Sequence, residues 1–362
     1  MKKILICGDV HFSQYSSILR ERGKKYSLRL ENIIKSVNFV EETARKNNIE
    51  TIVYLGDFFD KPELNAEELT ALQEIQWNIN AWHLFLVGNH ESDRNSLEYA
   101  STQCLKDKTT FTCFDIIDNI DFTVIGADTE LVLIPYITED NRKPLQEYLN
   151  KSRNSQLTKK IVLSHNDVKG IQYGKAISTT GFELNEIKQV SAYINGHIHN
   201  YGTFRDSIHC NLGNLTGQNF SEDAFKYSHN IMILDVDTLE SKLIENPYAF
   251  NFYKLEINSE KDIDILDKLK DNAVVTIKCE QSLLQLIRER LSKIKSERNN
   301  IVANRIITYR DVTTNSSSEN AEMASVLTLN KTDHLIQFND FINEKLGSDE
   351  IVQDELSKIL RG

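Results

Sequence analysis

Short apolar runs rich in β-branched residues alternate with longer amphipathic stretches over the first two thirds of the chain. KKILICGD (2–9), ETIVYLGD (50–57) and HLFLVGNH (83–90) read as strands, each ending in a glycine followed by polar side chains. Between them, residues 28–48 and 65–82 read as helices. Ile33, Val37, Val40 and Ala44 keep the three-or-four spacing of one helical face. Further strands are predicted at 121–136 (two adjacent), 159–167, 191–200, 207–214 and 230–238. This strand–helix–strand order predicts an α/β fold, a sheet with parallel strands and helices on its faces. From about residue 247 a smaller βαβαβ unit begins. Its strands are expected at 251–257, 272–280 and 304–312, with a short helix at 262–269 and a longer one at 282–298. TTNSSSEN, residues 313–320, reads as a flexible linker. Two short amphipathic helices, broken at Gly347, are expected beyond it. The expected division is a main domain (1–245), a small αβ domain (246–312), a linker (313–325) and a helical tail (326–362).

With 40% hydrophobic and 26% charged residues, the composition is that of an ordinary soluble protein rather than a disordered one. No stretch approaches the ~18 apolar residues of a membrane span. The amino-terminal MKKILICGDV has too short an apolar run for a signal peptide. The expected location is therefore the cytoplasm, of a bacterium or of a phage-infected host. Cys7, Cys104, Cys113, Cys210 and Cys279 are scattered without a C-x-x-C pair, which suits reduced thiols rather than a disulfide frame or a thiolate zinc site.

Five places behind apolar runs carry metal-ligand chemistry. ICGDVH supplies Asp9 and His11, and YLGDFFD supplies Asp57 and Asp60. VGNHE supplies Asn89 and His90, LSHND supplies His165, and NGHIH supplies His197 and His199. In an α/β sheet the ligand crevice lies outside the carboxyl ends of the strands, so residues far apart in sequence can meet there. A single Gly-Asp or Asn-His is a common turn. Five of the chain's nine histidines in such places is a different matter. Oxygen and imidazole donors without thiolate suit manganese, iron or zinc. Seven candidate ligands exceed what one ion takes, so two divalent ions sharing a carboxylate are expected, a pair suited to phosphoryl chemistry. His90 is left to assist as an acid or phosphate contact, with Asp60 placed to orient it. His83, His209, His229 and His334 have no such partners and read as surface or satisfied core residues.

The order GD-x-H, GD-x-x-D, GNH-E, an isolated His and GH-x-H, over residues 8–199, resembles the calcineurin-like metallophosphoesterases. That resemblance implies a β-sandwich flanked by helices. It further implies Asp9, His11, Asp57 and His199 at one metal, and Asp57, Asn89, His165 and His197 at a second, with Asp57 bridging. His90 would be the catalytic histidine and Asp60 its partner. GDFFDKPELNAEEL and the spacing from His165 to GH-x-H resemble the SbcD-type recombination and repair nucleases, including their T-even phage members. Protein serine/threonine phosphatases share GD-x-x-D and GNHE but usually carry arginines where this chain has Lys61 and Val87. Phe12, Glu91 and LGNLTGQNF (212–220) depart from the nuclease pattern without touching a proposed ligand.

The resemblance implies a DNA nuclease, with double-strand 3′-to-5′ exonuclease and single-strand endonuclease action in recombination, repair and replication. The implied cofactors are two divalent ions, manganese first, with Mg2+, Fe2+ or Zn2+ as alternatives. The 246–312 unit would be a capping domain. The tail would bind an SMC-like ATPase of SbcC type through Phe338, Phe341, Ile342 and Leu346, within a heterotetramer built on a homodimer. The net charge of −11 opposes general attraction to DNA. A loop with Arg20, Arg22, Lys24, Lys25 and Arg29 could still meet backbone phosphates without reading sequence, as could the basic face of the 282–298 helix. Each charge run also fits an ordinary solvated face. Two alternatives remain: a stand-alone phosphodiesterase or phosphatase acting on nucleotides or phosphoprotein, and a scaffold with a structural metal site.

Overall fold

The structure, a computed structural model, describes residues 2–93, 96–106, 113–152, 157–173, 176–298 and 301–309. Two six-stranded mixed sheets dominate it. The first runs, edge to edge, Ser241–Glu245, Asn230–Asp235, Lys3–Cys7, Thr51–Tyr54, Trp82–Leu86 and Phe114–Ile117. The second runs Gly202–Thr203, His209–Asn211, Ala192–Asn195, Lys159–Ser164, Thr129–Ile134 and Asp121–Ile125. The inner strands are parallel, as the strand–helix order predicts. Antiparallel partners flank them in both sheets, so a purely parallel sheet is not what forms.

The continuous apolar runs of the sequence follow from burial on both faces. Ile4, Ile6, Val53, Leu84 and Leu86 of the first sheet pack on Leu131, Leu133, Ile161, Leu163 and Ile194 of the second, which makes the sandwich core. The alternate residues Leu5, Cys7, Ile52, Tyr54 and Phe85 face outward, onto Ile33, Val37, Val40 and Ala44 of the Leu28–Lys46 helix. On the far side, Val132, Val162 and Tyr193 meet Leu145, Tyr148 and Ile187. The result is a β-sandwich with helices on both outer faces.

The predicted helix over 65–82 is cut short. Asn65 and Glu68 form a capping box, but the helix ends at Leu72. Beyond it the backbone bonds to side chains of the Leu28–Lys46 helix instead of its own turns. Gln76 N–H donates to Asn38 and Asn78 N–H to Glu41, while Arg45 donates to the Gln76 carbonyl. Trp77 sits edge-on against Phe85 and Phe114. Tertiary contacts here outweigh helical periodicity.

Residues 251–309 form a parallel three-stranded sheet, Asn251–Ile257, Ala273–Glu280 and Ile301–Tyr309, backed by the Leu284–Arg298 helix. The short predicted helix at 262–269 is a 3-10 helix, Glu260–Lys268. Residues 1–309 cluster as one compact unit. The linker and the tail, including Phe338, Phe341, Ile342 and Leu346, lie outside the described residues, as does His334. Cys7, Cys210 and Cys279 are buried. His83, His209 and His229 are buried as well, each bonded to a carboxylate or carbonyl, with His83 Nδ1 left without a partner. Among the described residues, no helix is long and apolar enough to cross a membrane.

Ile194 is fully buried between the two sheets. Ile194→Ala is expected to cost about 2–5 kcal/mol of stability, read as a lowered midpoint of urea unfolding with unchanged m-value.

Candidate metal centre

Parallel register brings the five motifs to one end of the sandwich. Cys7 pairs with Tyr54 and Tyr54 with Phe85, so the residues that follow, Asp9, Asp57 and Asn89, leave the same end of the first sheet. Ser164 pairs with Asn195 in the second sheet, which sets His165 beside the His197 loop. The glycines before the ligands are required by space. A Cβ on Gly56 would lie 2.4 Å from the His165 ring, and Gly56 itself has φ +104°. A Cβ on Gly88 would lie 2.1 Å from Asp57 Oδ1. His11, Asp57 and His197 adopt left-handed backbone (φ 50°, 47° and 73°), which costs of order 1–3 kcal/mol each and persists only where neighbours enforce it. The enforcing bonds are on hand. His11 N–H donates to the Asp57 carbonyl (2.8 Å), His90 N–H to Asp57 Oδ1 (2.9 Å), and His197 N–H to Asp9 Oδ1 (2.9 Å).

The ligating atoms form three overlapping groups, each with all atoms within 4.8 Å of one another: Asp9, His11 and His199; His11, Asp57 and His90; and Asp57, His165 and His197. Asn89 Oδ1 joins the last, 3.2 Å from His165 Nε2 and 3.0 Å from His197 Nδ1. The structure thus brings together all seven residues that the sequence singles out as ligands, with His90 beside them.

The histidines are oriented from behind. His165 Nδ1 donates to the Leu55 carbonyl (2.8 Å), His199 Nδ1 to Glu222 (3.0 Å), His11 Nδ1 to Asp60 (2.9 Å) and His197 Nε2 to Asp167 (3.2 Å). These tautomers are assigned from their partners. They leave His165 Nε2 and His197 Nδ1 as acceptors facing other acceptors, Asn89 Oδ1 and, 3.2 Å from His165, Asp57 Oδ2. Asp9 Oδ2 and His11 Nε2 are buried without a hydrogen-bond partner. Converging lone pairs that share at most the His165 proton, which Asp57 favours in the metal-free protein, are what a cation satisfies, so the residues fit a pair of divalent ions.

Two sequence-level readings change. Asp60 bonds chiefly to His11, and its carboxylate stands 3.6 Å from His90 Nδ1, whose nearer partner is the Asp60 carbonyl at 3.3 Å. His11 is the more buried ring, its side chain 1% exposed against 44% for His90. Asp167 and Glu222 were not singled out: Asp167 stands in LSHND but serves His197 of another motif, and nothing local marks Glu222. Glu222 is held by Gln218 N–H and Asn219, 23 residues beyond His199. Arg142 stands 3.7 Å behind Asp167.

A comparison with protein families matches residues 2–201, more than half of the chain, to calcineurin-like phosphoesterases. The chain belongs to this family. No curated protein matches it. Among solved structures, it is similar to a dimetal phosphatase from Danio rerio at 14% identity and TM-score 0.40, covering 68% of this chain and 99% of the other. It is also similar to the glutamine-dependent NAD+ synthetase of Acinetobacter baumannii at 10% identity and TM-score 0.31, covering 96% and 69%.

The electrostatics of this phosphoesterase centre are dominated by Asp57. Burial disfavours its charge, but His165 and His11 hold the carboxyl well below its usual range, so it is ionised. In return, and against burial, Asp57 raises His165 to about 9. Glu91 is fully buried, accepting from Phe59 and Gly88 N–H, and is pushed up to about 8 by burial and by the Asp57 charge. It braces the two loops that carry Asp57 and Asn89.

The basic loop is less open than its sequence suggests. Arg20, Arg22, Lys24 and Lys25 are exposed, but Arg22 pairs with Glu67 and Lys25 with Glu74. Arg29, expected among the DNA contacts, is 4% exposed and donates to the His11 carbonyl, because the helix it begins packs against the metal pocket.

Glu222→Gln and Asp167→Asn should each weaken one metal site by about 10–100-fold. Calorimetric titration with Mn2+ should show two unequal sites in either variant. A pH effect follows from His165 and Glu91. Both bind protons more tightly in the folded metal-free protein than at their ordinary values of 6.5 and 4.5. Their contributions are complete below those values and are lost as pH rises through about 8 for Glu91 and about 9 for His165. The metal-free protein should therefore melt at a lower temperature at pH 9 than at pH 7 in a calorimetric scan, and Mn2+ should narrow the gap by replacing the His165 proton.

Proposed function

We propose that this phosphoesterase is a metal-dependent DNA nuclease of SbcD type that cleaves phosphodiesters. The observation carrying this reading is what stands at the two places where protein phosphatases carry phosphate-gripping arginines. Val87 is fully buried, and Lys61 is bound to Glu68 at 2.9 Å. A phosphomonoester carries about two negative charges near neutral pH and needs such cations. A phosphodiester carries one and does not.

The residues would divide the work as follows. Asp9, His11, Asp57 and His199 would hold one ion, and Asp57, Asn89, His165 and His197 the other. When bound, such a pair of divalent ions activates water and takes up charge on the phosphate. His90, its side chain 44% exposed at the pocket mouth, has Nδ1 engaged by Asp60, which leaves Nε2 for the substrate. As water attacks in line and the P–O3′ bond breaks, His90 is placed to give its proton to the departing oxygen. The exposed cations of the 20–25 loop, which follows His11 closely, supply backbone contacts that read no sequence. The tail stripe Phe338, Phe341, Ile342 and Leu346 supports, at the level of sequence, docking to an SMC-like ATPase.

The test is a substrate panel with the Mn2+-loaded protein. Linear duplex and single-stranded DNA should be cut, while nucleoside monophosphates and phosphopeptides turn over slowly. Rapid phosphopeptide hydrolysis with intact DNA would overturn the reading in favour of a phosphatase. His90→Asn should lower DNA cleavage by about 10²–10⁴-fold at undiminished metal content. Undiminished cutting by this variant would remove His90 from the chemistry.

A further inference from the structure

A cavity of about 670 Å³ adjoins the metal centre and contains none of its ligands. It opens between the turn before Phe122, the Pro135–Asn141 segment and the Leu145–Leu149 helix, with Leu97 opposite. Tyr136 belongs to both places. Its ring lies 5.8 Å from that of His197, and its N–H donates to the carbonyl of Val87, two residues before Asn89. Phe122 and Tyr148 add aromatic wall. Lys143 and Lys151 stand at either end of the short helix, with the Lys151 ammonium 5.4 Å above the Tyr148 ring.

We propose that this cavity takes a short unpaired stretch of the nucleic-acid strand being cut, next to the scissile phosphate. The proposal rests on the nuclease reading and adds where the strand runs. The volume lies within the roughly 300–1,000 Å³ of pockets that enclose a ligand, far more than one phosphate needs and too little for a duplex. Aromatic faces bind bases by stacking, and only unstacked bases offer a free face. Lysines beside such faces suit the backbone phosphates. Of the lining acids, Asp118 is engaged by Gln103 and by Lys106, which leaves Glu98 against the two lysines; the exposed Lys143–Glu147 pair at 3.9 Å is loose enough for a phosphate to replace the carboxylate. A duplex end must then fray before its terminal nucleotides reach the metals.

The test uses the full-length Mn2+-loaded chain and three probes: a single-stranded oligonucleotide, a blunt duplex, and bis(p-nitrophenyl) phosphate, which reports on the metals alone. Tyr136→Ala and the double variant Lys143→Ala/Lys151→Ala are compared with wild type. The second variant guards against any disturbance of His197 by the first. The expected result is a rise of about tenfold in KM for the single strand, with the ratio of oligonucleotide to bis(p-nitrophenyl) phosphate turnover falling to match. If both variants keep the wild-type ratio, the cavity is not the strand's path, although the nuclease reading stands. If wild type hydrolyses bis(p-nitrophenyl) phosphate but neither DNA, the nuclease reading fails and the cavity assignment falls with it.

Discussion

An ionised carboxylate held in a fully buried place is the constraint on which this structure turns. Asp57 lies at the junction of the two metal groups, 1% exposed, and its charge is sustained by imidazoles rather than by water. Burying a lone carboxylate is prohibitive unless it is paired. The chain meets that cost by spending backbone freedom: three residues with side chains in left-handed conformation, and glycines packed against ligand side chains. Such strain is tolerable because each strained residue hangs directly from a strand of the sandwich. The rest of the molecule can be understood as the frame that makes this possible.

The frame needs two sheets, because one would offer ligands from a single row of strand ends. The first supplies Asp9, Asp57 and Asn89, and the second His165 and His197, so the pocket forms where the two rows meet. The tight core of Ile, Leu and Val between the sheets fixes their spacing. A shift there would separate Asp9 Oδ1 from the His197 N–H that it accepts. Glu91 and the Leu55 carbonyl extend the same rigidity into the loops.

What was legible in the sequence follows from what was local. Strands buried on both faces announce themselves as apolar runs, and ligands that sit one to four residues past a strand end share its position. Hence the strand–helix alternation and the seven gathered residues could be read from the sequence, whereas the two-sheet sandwich followed only from the family resemblance. The helix beyond Leu72 could not, because the groups replacing its hydrogen bonds, Asn38, Glu41 and Arg45, belong to another helix. Glu222 escaped for the same reason, since it contacts His199 from a separate loop outside any motif; Asp167 lies inside LSHND, but it serves His197 of another motif rather than its neighbour His165. Asp60 was recognised as the partner of His90, which it approaches, but its shorter bond to His11 was not foreseen, since spacing alone does not show both contacts.

The charges around the pocket bear on the choice of substrate. Asp9 and Asp57 face the metals, and Asp60, Asp167 and Glu222 stand behind the histidines. Arg29 lies in the field of Asp60 and Glu222, and Arg142 stands beside Asp167. Glu91, pushed up to about 8, is mostly neutral at pH 7. Arg142 is shared with Glu139, so carboxylates outnumber guanidiniums around the pocket, an excess that two divalent ions would offset. A fully ionised monoester brings one more negative charge than a phosphodiester and so calls for one more cation at the site. A guanidinium at Val87 or a free cation at Lys61 would supply the missing charge. The first is an apolar core residue and the second is tied to Glu68, which is the feature that favours the proposed phosphodiester over a monoester.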